Sequence, residues 1–338
     1  MANDIYHGNS YNCTHVDQLM ARYYLPVCYS IIFIVGLVGN ITSISIYLTK
    51  LRPWKSSGII MVNLALTDLL YILSMPFLIF YYSNGDSWTL GKFMCLFVRF
   101  WFHFHLYGSV LFLTCLAVFR FVVVIKPLSA AQMEHKVWGI SACVAVWVIA
   151  AAEITPMLTM INLEKYNNKT YCIDFASTVK YADDVWWYNL LLTVLGFLLP
   201  LVVVFICYIR LVKHLLKGPY TSSPYRIRAR RVIVLILVVF VLCFLPYHIL
   251  RALRIEMRRS LDTPCMLERV VHTAYIISRP LAGFNIFFNL ALYTLSGDNF
   301  RRAFLSIFYR GFHFSNARSL IHLAFFSNTG SDPNLPMT

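Results

Sequence analysis

Residues 232–250 read VIVLILVVFVLCFLPYHIL and contain no Asp, Glu, Lys or Arg. A helix rises about 1.5 Å per residue, so crossing the roughly 30 Å hydrocarbon layer of a bilayer takes about 20 mostly apolar residues. This stretch qualifies, and so do others on either side of it. Tyr23–Thr49, Phe100–Phe119 and Val185–Ile209 also lack those four residue types. Ser56–Gly85 carries only Asp68, Val137–Leu163 only Glu153, and Val270–Gly297 only Arg279. None alternates with a period of two, which favours helices over barrel strands. The expected fold is all-α, a bundle of seven transmembrane helices.

Composition agrees. Of 338 residues, 59% are hydrophobic and 13% charged, against about 25% charged in soluble domains. Mean hydropathy is +0.65. These values exclude a pair of soluble domains, a disordered chain, a collagen-like repeat and a small disulfide scaffold. The first run is too long and too far from the start for a cleaved signal peptide.

The net charge of +14 is mostly a topology signal. Lys50, Arg52 and Lys55 follow the first run, and Arg120, Lys126 and Lys136 follow the third. A cluster from Arg210 to Arg231 follows the fifth, and Arg301, Arg302, Arg310 and Arg318 follow the seventh. The rule that positive loops stay inside predicts an outer N-terminus over 1–22, a seven-span region over 23–297 and a cytosolic tail over 311–338. A nucleic-acid role would need a soluble basic face and is set aside. The sequons at Asn12 and Asn168 fall in segments predicted to lie outside, so both are candidate glycosylation sites. Residues 298–310 set Phe300, Phe304, Ile307 and Phe308 against Arg301, Arg302 and Arg310. They predict a short amphipathic eighth helix lying on membrane lipid.

The cysteines sort by depth. Cys28, Cys115, Cys143, Cys207 and Cys243 lie within apolar runs and read as packing residues. Cys13, Cys95, Cys172 and Cys265 lie in or beside outer segments, where disulfides persist. Four cysteines allow three pairings. Cys95 with Cys172 would pin the long loop over the bundle, and Cys13 with Cys265 would tie the N-terminus to the last outer loop.

Ionisable residues inside a span are costly and mark functional sites. Arg99 and Arg251 stand at the outer ends of the third and sixth runs and Arg279 interrupts the seventh in its outer half, so the three fall at similar depth on three helices. His103 lies one turn below Arg99 on the same face. Guanidinium forks match carboxylate or phosphate oxygens, so the trio predicts a small anionic ligand, a dicarboxylate or a nucleotide. Tyr29, Tyr82, Tyr107 and Tyr275 could add hydroxyl donors, and Asp174 could orient an arginine or face water. The bland readings are snorkelling of Arg99 or Arg251, an internal ion pair for Arg279 and a packing role for His103. His105 points elsewhere on its helix and reads as a packing residue. Arg254, Arg258 and Arg259 read as solvated. Asp68 is a lone carboxylate at mid-membrane that should be paired or bound to a cation.

The motifs give the chain a family. Gly39-Asn40, Leu64-Ala65-Leu66-Thr67-Asp68, Trp88 before Cys95, Trp147, Pro200 with Tyr208, Cys243-Phe244-Leu245-Pro246 and Asn289-Leu290-Ala291-Leu292-Tyr293 stand in order. Over about residues 20 to 312 the chain resembles a rhodopsin-like G protein-coupled receptor. Phe119-Arg120-Phe121 departs from the Asp-Arg-Tyr of many relatives, so the acid that would hold Arg120 is missing. Phe244 stands where many have Trp, and Asn289-Leu290 where many have Asn-Pro.

Tyr247-His248-Ile249-Leu250-Arg251 is similar to the purinergic-type branch. Within it, Arg52 to Ser57, Arg99 to Tyr107 and Ser278 to Ala282 look like the oxoglutarate-type receptors. Asp174 to Ser177 and Leu195 to Pro200 look like the sister succinate type. This resemblance implies a plasma-membrane receptor for a dicarboxylate such as 2-oxoglutarate, held by Arg99, His103, Arg251 and Arg279. Succinate or a nucleotide is the alternative ligand.

The resemblance also implies coupling to a heterotrimeric G protein by the phospholipase C and calcium route, through Arg120, Tyr208, Phe244, Pro246, Asn289 and Tyr293. Arrestin is a further implied partner. Asp68, Ser109, Asn285 and Asn289 match the family's sodium site; no cofactor is required, and sodium would act as an allosteric ion. A dicarboxylate transporter is the rival class, but inverted or parallel repeats are not visible. An enzyme is not expected, because H-E-x-x-H, G-x-S-x-G and a phosphate-cradling glycine loop are absent.

Overall fold

A computed structural model describes residues 16–52, 54–126, 134–166, 168–177, 182–217, 224–260 and 264–307. Asn12, Cys13, Phe308, Arg310 and the tail over 311–338 lie outside the described residues.

Among the described residues, six helices are long and apolar enough to cross a bilayer: α1 (Val16–Thr49), α2 (Ser56–Ser83), α3 (Gly91–Ile125), α4 (Lys136–Thr159), α5 (Ala182–His214) and α6 (Arg226–Arg259). The seventh crossing, α7, consists of two helices, Cys265–Gly283 and Asn285–Ser296, joined at Phe284. A last helix, α8, covers 298–307. The bundle of seven is thus present. Helices run past the edges of the apolar stretches because their backbone hydrogen bonds continue beyond the hydrocarbon. The third, expected from Phe100, starts at Gly91 and so takes in Arg99.

The one departure from an all-α chain among the described residues is an antiparallel hairpin, β1 (Asn162–Tyr166) and β2 (Lys169–Ile173). Leu163, expected to end the fourth span, belongs instead to β1 and sits opposite Cys172.

Three helices carry a π-turn just before a proline. Met20–Tyr24 precedes Pro26, Val194–Leu198 precedes Pro200, and Phe240–Phe244 precedes Pro246. Proline brings no N–H and crowds the carbonyl one turn earlier. The wider turn absorbs the misfit and bends the helix there. Pro280 lies four residues before the break in α7.

The lipid-facing sides are as apolar as the core. Val38, Val144, Val148, Leu199 and Phe205 are exposed, whereas Tyr29, Leu64, Leu113 and Phe240 are fully buried. In lipid the apolar exterior costs nothing, so packing and polar ties hold the helices together. Trp147 Nε1 donates to Asn63 Oδ1 at 2.9 Å. Ser56 Oγ donates to His135 O at 2.7 Å. The expected packing cysteines Cys28, Cys115, Cys143, Cys207 and Cys243 are all free. In α8, Phe300 is buried against Tyr47 and Tyr293, with ring centroids 5.2 and 6.1 Å away, while Arg301 and Arg302 are exposed.

Among the described glycines, Gly139 is the one that another segment's backbone approaches most closely, where α4 meets α2. A Cβ there would come within 2.7 Å of the Ser56 Cα, and backbone cannot step aside. Gly139→Val should therefore lower the melting temperature of the purified receptor, by an overpacking penalty of about 1–3 kcal/mol. An unchanged melting curve would show that the crossing is looser than described.

Candidate functional site

The outer half of the bundle holds a cavity of about 230 Å³, lined among others by Tyr82, Arg99, Asp174, Tyr275 and Arg279. Cys95, at the start of α3, is disulfide-bonded to Cys172 in β2. This bond selects one of the three pairings and lays the hairpin across the helix ends. Trp88 N donates to Thr170 O at 2.7 Å and fastens the hairpin a second time. Cys265 is also disulfide-bonded, but Cys13 lies outside the described residues. Asn168 is exposed at the hairpin turn with φ 59, a left-handed position that Asn tolerates.

Two of the three arginines meet in this cavity. Arg99, one turn below Cys95, donates from Nη2 to Cys172 O at 2.7 Å, and its Nε has no partner. The guanidinium of Arg279 lies over the rings of Tyr82 and Tyr275 at 5.6 and 5.9 Å, and its Nε is also unpartnered. Both side chains are buried, and neither makes an ion pair among the described residues. Tyr82 and Tyr29 keep unpartnered hydroxyls nearby, their rings 6.2 Å apart.

Asp174 enters from the loop after β2. It accepts hydrogen bonds from Tyr275 Oη at 3.1 Å and Phe175 N at 2.9 Å, and lies 3.9 Å from His103 Nε2. Burial pushes its carboxyl up, but His103, Arg99, Arg279 and the Tyr275 hydroxyl together outweigh this and hold it below its ordinary value. Asp86, also on the cavity wall, is pushed up by burial to about 6 despite the pull of Arg279 and Arg99.

Arg251 and His103 do not line the cavity. Both lie against Phe175, whose ring is 5.2 Å from His103 and 5.6 Å from the Arg251 guanidinium. Arg251 is fully buried and donates to Asn189 Oδ1 at 2.8 Å and Thr193 Oγ1 at 3.4 Å, both on α5. Its Nη1, His248 Nε2 and the Tyr107 hydroxyl are unpartnered. His103 donates from Nδ1 to Arg99 O at 2.9 Å, leaving Nε2 to accept from Tyr247 Oη at 3.4 Å.

Two sequence expectations need correction. Arg254 and Arg258 are not solvated: their side chains are buried and share Glu268 at 3.1 and 3.5 Å. Arg259 does remain half-exposed, paired with Asp183 at 3.0 Å. His105 is not a bland packing residue, because its Nε2 lies 3.0 Å from Asp68 Oδ1. The helical wheel turns it away from the ligand face and thereby towards α2. The structure adds a cluster that the sequence does not reveal, Asp17 with Arg269 and His272 at 2.8 and 3.0 Å. Asp17 precedes the first apolar run, so counting charges within spans passes it over.

At mid-depth, Asn289 Nδ2 donates to both oxygens of Asp68 at 3.2 and 2.9 Å. Ser109 Oγ and both amide atoms of Asn285 are buried without partners. At the inner end, Arg120 borders a cavity of about 470 Å³ with Lys50, Arg228, Asp298 and Arg302. With Phe119 rather than an acid before it in the chain, Arg120 Nη2 donates to Ser296 O at 3.4 Å. Phe244 is buried edge-on to Phe240 at 5.7 Å, and Tyr293 is buried with its hydroxyl unpartnered. Tyr208 and Pro246 are half-buried.

The chain is 50% identical to 2-oxoglutarate receptor 1 of Mus musculus over 299 residues, covering 88% of this chain and 87% of that one. It is 50% identical to the Rattus norvegicus protein of that name over 298 residues, 87% of each chain. A purinoceptor of Mus musculus is 36% identical over 298 residues, 87% of this chain and 80% of that one. The family described as 7 transmembrane receptor (rhodopsin family) matches residues 39–293. The chain therefore belongs to the rhodopsin family of seven-transmembrane receptors, multi-pass membrane proteins that take a small-molecule ligand, couple to G proteins and are not enzymes.

Proposed function

We propose that this receptor answers a small dicarboxylate of the 2-oxoglutarate type, held between Arg99 and Arg279. The observation that carries the reading is a pair of buried guanidiniums with no acid within ion-pair distance among the described residues, facing one small cavity. Unpaired buried charge is costly, and two carboxylates on a short carbon chain would neutralise both groups with paired hydrogen bonds. Tyr82, Tyr29 and Tyr275 supply hydroxyls beside them. The relatives named 2-oxoglutarate receptor 1 support the same chemistry.

His103 and Arg251 act on the ligand in this reading only once Phe175 moves. The receptor lies in the plasma membrane with its N-terminus outside and glycans on Asn12 and Asn168. Its inner cavity receives a G protein of the phospholipase C route, with arrestin as the second partner, and α8 rests on lipid. A ligand shifts the receptor only by binding its active arrangement more tightly.

Calcium release in transfected cells should respond to 2-oxoglutarate ahead of succinate and itaconate, and not to ATP or UDP. Response to a nucleotide with silence to the dicarboxylates would overturn the ligand class and favour the branch represented by the purinoceptor relative. At equal surface expression, Arg99→Ala and Arg279→Ala should each weaken agonist potency by about 10- to 100-fold, as expected for a hydrogen bond to a charged group worth about 1.5–3 kcal/mol. Unchanged potency in both would remove the arginines from the site.

The pH dependence has a definite sign. Asp86 loses its negative charge as pH falls through about 6, while Asp174, shifted downward, stays ionised. The cavity becomes more positive, so agonist potency should rise from about pH 7.5 to about pH 5.5. Asp86→Asn should give a flatter profile that already matches the acid-side potency at neutral pH. A potency that falls on acidification in the parent receptor would contradict this account.

A further inference from the structure

The Asp68 carboxylate is fully buried in the middle of α2 and must be neutralised. The family resemblance gives that task to sodium, with Ser109, Asn285 and Asn289 as further oxygen ligands. The contacts do not fit that ion. His105 Nε2 bridges to Asp68 Oδ1 at 3.0 Å, and Asn289 turns its Nδ2 rather than its oxygen to the carboxylate. His105 is held in place, its ring stacked on Tyr71 at 4.5 Å and 18°.

We infer that the His105 side chain takes the ion's place and that the Asp68 site of this receptor binds no sodium. The His105 ring and the Asn289 amide between them already occupy both oxygens of the carboxylate. A cation arriving at Asp68 would have to displace the His105 ring from Oδ1. It would also have to turn the Asn289 amide, which now donates to both carboxylate oxygens. Ser109, one helical turn beyond His105 on α3, makes no contact with the carboxylate among the hydrogen bonds described.

The test uses the full-length purified receptor without agonist. Melting is compared in about 150 mM sodium chloride and in choline chloride at the same ionic strength. The parent receptor should melt at the same temperature in both. His105→Ala frees the carboxylate oxygen and should gain a sodium-dependent rise of about 3 °C. Adding Asp68→Asn to that variant should abolish the gain, which locates the new ion. His105→Asn serves as the second variant if the alanine form does not fold.

A sodium-dependent rise in the parent receptor that Asp68→Asn removes would overturn the inference. So would sodium-insensitive melting in a folded His105 variant. Neither readout depends on the agonist, so this inference and the dicarboxylate reading stand or fall separately.

Discussion

The outer half of this receptor depends on the covalent tie between Cys95 and Cys172. Without it, the segment between α4 and α5 would be a short hairpin with few apolar side chains to bury. Closing a loop across 77 residues removes chain entropy that such a segment could not otherwise offset. The bond holds Cys172 above the first turn of α3, where its carbonyl meets Arg99. Two residues on, Asp174 reaches Tyr275 on α7. The next residue, Phe175, is pressed between α3 and α6. One linkage thus lays the hairpin over the cavity and brings Cys172 and Asp174 to its wall.

Within the bundle, the decisive constraint is that water is scarce. Each ionisable side chain must be paired, hydrogen-bonded or left costly. Six arginines of the outer half divide along this line. Arg254 and Arg258 share Glu268, Arg259 meets Asp183, and Arg251 leans on the neutral oxygens of Asn189 and Thr193. Arg99 and Arg279 are left with a carbonyl, aromatic faces and the diffuse field of Asp174. Aromatic faces attract a guanidinium by roughly 0.5–2 kcal/mol, well short of the cost of burying it. The imbalance is local to the cavity.

Much of this is legible in the chain. Apolar run length fixes seven crossings, and loop charge predicts their direction. The rarity of charge inside spans singles out Arg99, Arg251, Arg279 and Asp68. What stays hidden has a physical cause in each case. Helix periodicity relates residues on one helix but not across two, so Arg251 can be assigned a depth but not a compartment. The ring it lies against, Phe175, belongs to a loop with no pattern around it. His105 looks inert because its partner lies on α2, 37 positions away. Arg254 looks solvated because nothing local reveals that Glu268, across a loop, turns towards it.

The same contacts bear on how an outer event could reach the inner end. The outer end of α6 is fastened to α5 through Arg251, and its wide turn at Phe240–Phe244 lies below that tie. The outer cavity touches α7 directly, through Tyr275 and Arg279. Further along, α7 supplies Asn289 to Asp68 and the Ser296 carbonyl to Arg120. One helix therefore contacts the outer cavity, the mid-membrane carboxylate and the arginine of the inner cavity. It is also a helix broken in the middle, at Phe284, where a change of backbone angles displaces one half against the other. Coupling between distant sites needs an element with two arrangements that both sites bias. In this receptor α7 meets the geometric part of that requirement, because its outer half carries Arg279 and its inner half carries the acceptor for Arg120. The missing acid beside Arg120 gains meaning here: with Phe119 in its place, the hold on that arginine passes from its own helix to α7.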